Sequence, residues 1–243
     1  MPRRSVNLST TSRGLPKLLD LFCGAGGCSA GYYRAGFHVE GVDHKPQPHY
    51  PYTFVQADAL EYLRRCGRHY DVIHASPPCQ LFSHYRRSRP EITDEKYVNL
   101  IPLVRELLIA TGKPYVIENV SRAPLHHPLL LCGSMFGLGV RRHRLFESST
   151  LLLSPGGCVH GLYKDRKYPG GRSKEKGPTN RTPARFTVEV GTWDIPEEAQ
   201  STAMGIDWMS VRELSQAIPP AYTFCLGRQL IKVVENDRDR VAP

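Results

Sequence analysis

The sequence predicts an α/β domain with a mostly parallel sheet and helices on both of its faces. Short apolar runs with strand character alternate with stretches in which apolar residues recur at helical spacing. Several of these runs end in a glycine-rich turn or an acidic residue, at the sheet edge where open α/β folds place ligands. The 243 residues, 40% of them hydrophobic, are enough for one such domain with a small appendage.

Punctuating residues delimit the predicted elements in chain order. Gly36 ends the first helix, the prolines after Ser76 end a buried strand, and Pro219 stops a late helix. The predicted strands are 17–22, 37–42, 53–56, 70–75 and 115–117, with a further one or two within 185–190. The predicted helices are 29–35, a helix containing Leu60 and Leu63, 97–110, 211–217 and 221–234.

Composition divides the chain into five segments. A polar arm over residues 1–16 precedes the main domain at 17–149. Residues 150–199 are rich in Gly, Pro and charge, which is typical of a linker or of a small contact surface built from loops. Regular patterns return at 200–235, and residues 236–243 form a tail.

Charge favours a polyanionic partner. The net charge is +9, and residues 160–186 alone hold eight Lys or Arg against two acidic residues. A generally basic surface is the simpler alternative. No apolar run has the length of a membrane span and the first residues lack a signal peptide's apolar core, so we expect a soluble, cytoplasmic monomer.

The seven cysteines are expected to be reduced thiols, since a chain of this size does not need disulfides. Cys23 and Cys28 are too far apart for a C-x-x-C pair. The stretch containing Cys158 and His160 offers too few ligands for zinc, so we expect no metal site.

Three consecutive strand ends resemble a nucleotide site. Phe22 precedes a glycine turn, Asp43 ends the next strand and can accept hydrogen bonds from a ribose diol, and Asp58 follows the third strand. A glycine turn by itself can be only a turn. The spacing differs from the G-x-G-x-x-G fingerprint, which argues against a nicotinamide-dependent oxidoreductase.

Cys79 lies just beyond the carboxyl end of the strand at 70–75, after two stiff prolines. A cysteine held in this position can be a nucleophile. A small buried cysteine in a tight loop is the structural alternative.

Taken in order, these motifs resemble the cytosine-C5 DNA methyltransferases. The resemblance covers about residues 17–227, excluding 150–200. The matching motifs are Asp20–Gly27, Asp43-His44, Asp58-Ala59, Pro78–Ser83, Glu118-Asn119-Val120, Arg142–Phe146, Met204–Trp208 and Ser215–Pro220. Val140 replaces a Gln of the family pattern, and Ser215-Gln216 replaces a Gly-Asn.

The resemblance implies a Rossmann-like methyltransferase fold that binds S-adenosylmethionine. Within it, 17–149 is the catalytic domain, 150–199 a small target-recognition region and 200–235 the returning C-terminal motifs. The implied cofactor-binding residues are Phe22, Gly24, Ala25, Gly26, Gly27, Asp43, His44, Asp58, Ala59, Pro78, Gln216 and Ala217.

The implied reaction begins with addition of the Cys79 thiolate to cytosine C6, which makes C5 nucleophilic. Glu118, with a pKa raised by burial, would protonate or hydrogen-bond N3. Arg144 would hold O2 of the base and Arg142 would brace the pocket, while nearby arginines, including Arg86, would partly activate the thiol. Ordinary surface charge is the alternative for both pocket arginines.

The substrate implied is double-stranded DNA with the target cytosine flipped out of the stack. The residues expected to contact DNA are Gln80, Ser83, Arg86, Arg87, Lys164, Arg166, Lys167 and Arg172. The loop 83–89 could equally be a solvated charged loop. A restriction–modification or phage origin fits the size of the chain. The alternatives are an RNA (tRNA) cytosine-C5 methyltransferase and a non-catalytic protein that binds the cofactor and associates with DNA.

Overall fold

The computed structural model describes residues 14–83, 97–160, 163–165 and 185–241. The strands in these residues are β1 Lys17–Leu21, β2 His38–Asp43, β3 Thr53–Gln56, β4 Val72–Ala75, β5 Tyr115–Asn119, β6 Leu129–Leu131, β7 Arg144–Ser148, β8 Tyr163–Asp165 and β9 Arg185–Thr187. The α-helices are α1 Gly27–Ala35, α2 Ala59–Cys66, α3 Ile101–Thr111, α4 Glu197–Met204, α5 Val211–Gln216 and α6 Pro220–Val241.

Seven strands form one sheet in the order β3-β2-β1-β4-β5-β7-β6. The first five run parallel, and β7 is antiparallel to both β5 and β6. β8 and β9 form a separate parallel pair. The predicted α/β fold with a mostly parallel sheet is therefore confirmed, with an antiparallel pair added at one edge.

The core has two layers because successive side chains of a strand point to opposite faces. On β1, Leu18 packs with Tyr32 of α1 and Leu226 of α6, whereas Leu19 packs on the other face with residues of α2 and α3. The sheet is thereby covered on both faces.

The helices α1 and α6 pack unusually closely because α1 carries glycines on its contact face. A Cβ atom built on Gly31 would lie 2.0 Å from Thr223 Oγ1 and 2.2 Å from the carbonyl oxygen of Pro220. The Thr223 hydroxyl donates to the carbonyl of Cys28. This packing fixes the chain's C-terminal part beside the glycine turn that opens α1.

Several element boundaries differ from the sequence predictions. The helix predicted from residue 97 begins at Ile101, with Pro102 accommodated in its first turn, where a missing N–H does no harm. Helix α6 continues to Val241, so most of the predicted tail is helical. The strands β6, β7 and β8 and the helix α4 were not predicted from the sequence. The strand predicted within 185–190 is present as β9.

Among the helices that the structure describes, none combines the length and the apolar character needed to cross a membrane. Residues 1–13, which include most of the predicted arm, lie outside the described residues.

Candidate active site

The candidate site lies where the order of strands reverses. β1 and β4 are adjacent and parallel, with Leu21 paired to Ala75 at their carboxyl ends. The chain leaving β1 turns toward β2 on one side, while β4 and β5 lie on the other. Such a reversal opens a crevice between neighbouring loops, and ligands of α/β proteins bind there. The loop that carries Cys79 leaves the sheet beside the glycine turn, and the Ser76 N–H donates to the carbonyl of Leu21.

The glycine turn after β1 is strongly bent and faces open space. Phe22, Gly24 and Gly26 have positive φ angles of 59°, 50° and 88°. A Cβ atom at Gly24 would find no atom of the described residues within 4 Å, so the backbone in this part of the structure is open to a ligand. At Gly27, by contrast, a Cβ atom would lie 2.5 Å from the carbonyl oxygen of Ile218. The turn therefore has an open side and a side packed against the C-terminal segment.

Asp43 connects the second strand to this turn. Its buried carboxylate accepts a hydrogen bond from the Gly24 N–H at 3.1 Å and another from the Lys45 N–H at 3.0 Å. The exposed His44 ring places Nδ1 3.1 Å from the same carboxylate. Two of the predicted cofactor-binding elements are thus in direct contact.

Asp58 has a local structural role of its own. It is the N-cap of α2, and its Oδ1 accepts the Glu61 N–H at 2.8 Å. The side chain is exposed, and Ala59 behind it is buried as the first residue of the helix. Capping alone can explain the acidic residue at this position.

Cys79 is held in a loop fixed at both of its ends. The carbonyl oxygen of the buried Pro77 accepts a hydrogen bond from Asn119 Nδ2 at 2.9 Å. This bond attaches the loop to the end of β5. After Cys79 the chain makes a 3-10 turn, in which the N–H groups of Phe82 and Ser83 both donate to the Cys79 carbonyl. Cys79 is half-buried, whereas Pro78 and Gln80 are exposed.

Glu118 and Arg144 form a salt bridge inside this site, with Arg144 Nε 3.2 Å from Glu118 Oε1. The antiparallel pairing of β5 with β7 brings the two residues together. Burial raises the pKa of the Glu118 carboxyl, and the nearby Arg144 opposes this rise. A buried carboxyl with a raised pKa is suited to donating a proton.

The thiol of Cys79 departs from the sequence expectation. Burial and the neighbouring Glu118 raise its pKa, and the opposing effects of Arg144 and Arg142 do not compensate. The two arginines do favour the thiolate, but desolvation is the larger effect. Burial thus favours the neutral thiol in the cofactor-free protein.

Arg142 connects the site to the C-terminal segment. Its guanidinium donates to the carbonyl of Ser215, in the last turn of α5, at 2.6 Å. It also donates to the carbonyl of Ala217, just after that helix, at 2.7 Å. The backbone of Arg142 has a φ angle of 30°, and its carbonyl accepts the hydroxyl of Tyr222. Burial lowers its pKa to about 9, so the guanidinium stays charged at neutral pH. Through these hydrogen bonds Arg142 attaches the site to the C-terminal segment.

The C-terminal segment also contacts the glycine turn. A Cβ atom at Gly27 would lie 3.3 Å from the Ala217 side chain, whereas Gln216 is exposed at the end of α5. Val140, which replaces the expected Gln, is buried in a cluster that includes Ala25. The Trp208 indole N–H donates to the carbonyl of Ala25 at 2.9 Å. Trp208 belongs to one of the motifs that carry the family resemblance, but its contact with Ala25 was not predicted.

A network of polar side chains next to Glu118 was not predicted from the sequence. Ser76 hydrogen-bonds both the Glu118 side chain and His74 Nε2, and the His74 Nδ1 atom faces the Tyr32 hydroxyl at 2.9 Å. Burial lowers the pKa of His74 to about 3, so the ring is neutral. A histidine inside an apolar strand run was the one available signal. This network of hydrogen bonds holds the Glu118 side chain in a fixed position.

Asp20 is a second buried acid that was not predicted as a site residue. Ser29 donates to its Oδ2 at 2.5 Å, while the buried Oδ1 has no hydrogen-bond partner among the described residues. Burial raises the pKa of Asp20 to about 7. An unpaired buried carboxylate oxygen next to the glycine turn is suited to a cationic or hydrogen-bond-donating ligand.

A separate group of side chains adds two potential metal ligands to the pair that the sequence offered. Cys158 and His160 are joined by Cys132 and His143, and one ligand atom from each lies within 4.8 Å of the others. The two additional residues are distant in sequence, so local spacing did not reveal them.

Most of the predicted DNA-contacting residues lie outside the part of the chain that the structure describes. Arg86, Arg87, Arg166, Lys167 and Arg172 lie outside the described residues, and only the backbone of Lys164 is described, as the middle of β8. Of the predicted DNA-contacting residues, Gln80 and Ser83 are within the described part, at either end of the turn after Cys79.

Comparisons with known proteins point to methyltransferases. No family model matches the chain. It is 34% identical over 125 residues to the type II methyltransferase M1.HphI of Haemophilus parahaemolyticus, covering 45% of this chain and 33% of that protein. It is 31% identical over 121 residues to M.AgeI of Thalassovita gelatinovora, covering 43% and 28%. The chain therefore spans about a third of the length of these curated relatives.

Solved structures match over more of the chain. A protein described as a prophage-encoded DNA modification methyltransferase (E. coli) aligns with a TM-score of 0.56 and 15% identity, covering 90% of this chain and 99% of that one. The Dnmt2 methyltransferase of S. pombe aligns with a TM-score of 0.54 and 11% identity, covering 91% and 98%. The Rossmann-like methyltransferase fold is thereby confirmed, and the predicted cofactor agrees with it.

Proposed function

We propose that this chain is a DNA (cytosine-5-)-methyltransferase that uses S-adenosylmethionine. The observation that carries the proposal is the convergence of Cys79, Glu118 and Arg144 at the carboxyl edge of the sheet. The loop bearing Cys79 is attached to β5 through Asn119, and Glu118 is the residue before Asn119. Arg144 reaches Glu118 from β7. The type II methyltransferase names of two relatives support the same substrate class.

Cys79 begins the reaction by forming a bond from Sγ to cytosine C6. The thiol proton must leave first, and the raised pKa of Cys79 makes this step dependent on the two nearby arginines and on the bound base. Addition converts the electron-poor C5 into an enamine-like carbon. The electron pair displaced from the C5–C6 bond is delocalised toward N3 and O2.

Glu118 and Arg144 stabilise this charge. A protonated Glu118 donates at N3, so that the ring does not hold a full negative charge. Arg144, fixed against Glu118, presents its guanidinium to O2 of the base. After C5 is methylated, a water-borne base takes the C5 proton, and the C5–H electron pair forms the C5–C6 double bond as the C6–S bond breaks and its electron pair leaves with Cys79. Glu118 recovers its proton from N3, so the base leaves as neutral 5-methylcytosine.

S-adenosylmethionine, when bound, supplies the methyl group that C5 receives. The open face at Gly24 leaves room for a ligand against the backbone, and the unpaired Oδ1 of Asp20 lies buried on the adjoining strand. Asp43 and His44 would hold the nucleoside at the end of β2, and Ala217 with the glycine turn would close the other side. Asp58 would contact the adenine while capping α2.

DNA is proposed as the substrate on charge and on the names of the relatives. The predicted loop 83–89 and the basic residues Lys164, Arg166, Lys167 and Arg172 would bind phosphates around a flipped cytosine. Gln80 and Ser83, next to the nucleophile, would meet the target strand.

The experiment is methyl transfer from labelled S-adenosylmethionine to duplex DNA, to single-stranded DNA and to tRNA, followed by nucleoside analysis. The proposal predicts 5-methylcytosine in duplex DNA. Methyl groups on adenine or on the cytosine amino group would contradict it. A second experiment, bisulfite sequencing of DNA from cells expressing the chain, would give the sequence context of the methylated cytosines.

Methylation of RNA is the second candidate. Two ribosomal RNA large subunit methyltransferases K/L of Shewanella are 35% identical to the chain over 69 residues, 28% of this chain and 9% of each relative. The region at 150–199 is short for a part of the chain that reads a DNA sequence. Transfer to RNA with none to duplex DNA would select this alternative.

A further inference from the structure

We propose that Cys132, His143, Cys158 and His160 bind one zinc ion, at a site separate from the candidate active site. His160 Nε2 lies 3.3 Å from Cys132 Sγ and 3.2 Å from His143 Nε2, and the latter lies 3.4 Å from Cys158 Sγ. All four ligand atoms fall within 4.8 Å of one another. Two thiols and two imidazoles that converge in this way form the Cys2His2 ligand set of structural zinc sites.

The separations fit a tetrahedral ion. With Zn–S near 2.3 Å and Zn–N near 2.0–2.1 Å, a tetrahedron separates two nitrogens by about 3.3 Å, and a nitrogen from a sulfur by about 3.5 Å. The observed N–N distance is 3.2 Å and the N–S distances are 3.3 and 3.4 Å. The side chains therefore require little movement to coordinate an ion.

Hydrogen bonds alone do not account for this arrangement. The Nε2 atoms of His143 and His160 each face two partners at once. A ring nitrogen has either one proton or one lone pair, directed along a single line in the ring plane, so it cannot serve two partners well. A cation between the four atoms uses one lone pair from each. Binding also releases the thiol proton that Cys132 donates to the Arg141 carbonyl.

The ligands come from three parts of the chain. Cys132 follows β6 and is fully buried, His143 directly precedes β7, and the pair Cys158 and His160 precedes β8. Ser134 already links two of these parts by accepting the Val159 N–H. The ion would thus connect the start of the basic residues 160–186 to β7, the strand that carries Arg144.

Zinc fits the donor set better than the alternatives. Hard cations such as Mg²⁺ and Ca²⁺ prefer oxygen ligands, and this group has none. Four protein ligands leave no open position for water, which indicates a structural rather than a catalytic ion.

The test is the metal content of the full-length chain, purified without chelators and without an affinity tag that binds metals. We expect one zinc ion per chain by plasma mass spectrometry, and replacement by Co²⁺ should give the intense visible bands of tetrahedral S₂N₂ cobalt. Cys158→Ser and His160→Ala should each reduce bound zinc to background. Cys225→Ser, outside the group, should retain the full equivalent.

Cys158 is exposed, so its replacement leaves the core intact, and circular dichroism would verify that the variant is folded. Zinc retained in both variants would overturn the proposal. Wild-type protein that takes up neither Zn²⁺ nor Co²⁺ under reducing conditions would overturn it as well, as would a Cys132–Cys158 disulfide in freshly purified protein.

Discussion

Arg144 Nε lies 3.2 Å from Glu118 Oε1, and this contact joins the two strands that form one wall of the site. The side chains are 17% and 7% exposed, so water screens the pair only weakly. Each residue depends on the other, because removing Arg144 would leave the buried Glu118 carboxylate without its ion-pair partner and with only the weaker hydrogen bond from Ser76. The pair therefore couples the proton on Glu118 to the position of the guanidinium.

Replacing Glu118 should slow methyl transfer without weakening the binding of S-adenosylmethionine. Glu118→Gln keeps the size and a hydrogen-bond donor but cannot deliver a proton, so kcat should fall by about 10²–10⁴. S-adenosylmethionine affinity should remain within a factor of two by calorimetry. Arg144→Ala should reduce kcat as well, and the double variant should be little worse than either single variant, since the two residues act as a unit. Additive losses would show that they act separately.

Cofactor affinity should distinguish Asp43 from Asp58. Asp43→Ala removes the acceptor of the Gly24 N–H and of the expected ribose contact, which should weaken binding by about 1–3 kcal/mol. Asp58→Ala should weaken binding and also destabilise α2 by about 0.5–2 kcal/mol through loss of the cap.

Asp58→Asn is the matched control, because Asn caps helices as well as Asp does. It should restore the free energy of unfolding, and any remaining loss of affinity reports on the ligand contact. Unchanged calorimetric affinity in both Asp43→Ala and Asp58→Asn would contradict the proposed cofactor site.

Close packing between α1 and α6 makes Gly31 intolerant of a side chain. Gly31→Ala should destabilise the fold by at least about 1–3 kcal/mol, because the new methyl group would overlap Thr223 and Pro220. Gly157→Ala is the control and should be nearly neutral, because a Cβ atom there meets no described residue within 4 Å. Urea unfolding of both variants measures the difference, and equal stability would show that α1 and α6 can separate at little cost.

Asp20 should make stability depend on pH. Its pKa is about 7 in the folded chain against 3.8 for the ordinary group. Below pH 4 both states hold the proton. As pH rises from 4 to 7 only the unfolded state loses it, so stability falls, by up to roughly 4 kcal/mol.

Asp20→Asn removes this titration. The free energy of unfolding of the wild type, relative to that variant, should therefore decrease between pH 4 and 7 and level off above. Urea titrations of the cofactor-free protein across this range measure the decrease, with the exposed Asp237→Asn as a control for net charge. A difference that does not change with pH would show that Asp20 is already ionised at pH 4.

The sequence was informative where function depends on local pattern. The glycine turn, the prolines before Cys79 and the apolar run ending in Glu118 each occupy one loop or strand end, so chain order was enough to place them. The parallel sheet then brings these ends to one edge, as the alternation of strands and helices predicts.

Contacts between distant segments could not be predicted in this way. Trp208 reaches the Ala25 carbonyl only because α4 and α5 pack beside the glycine turn. Cys132 and His143 meet Cys158 through the antiparallel β6 and β7, which the sequence pattern did not reveal. The raised pKa of Cys79 results mainly from burial of its thiol, and this burial cannot be deduced from the spacing of residues in the sequence.

The covalent bond between Cys79 and cytosine C6 is the central claim, and a trapped adduct tests it most directly. Duplex DNA containing 5-fluorocytosine, incubated with the chain and S-adenosylmethionine, should give a complex that survives denaturation, because fluorine cannot leave as a proton. Mass spectrometry should locate the linkage at Cys79. Cys79→Ser should form no adduct while binding the cofactor with nearly unchanged affinity. An adduct formed by Cys79→Ser, or one attached to another residue of the wild type, would contradict the assignment.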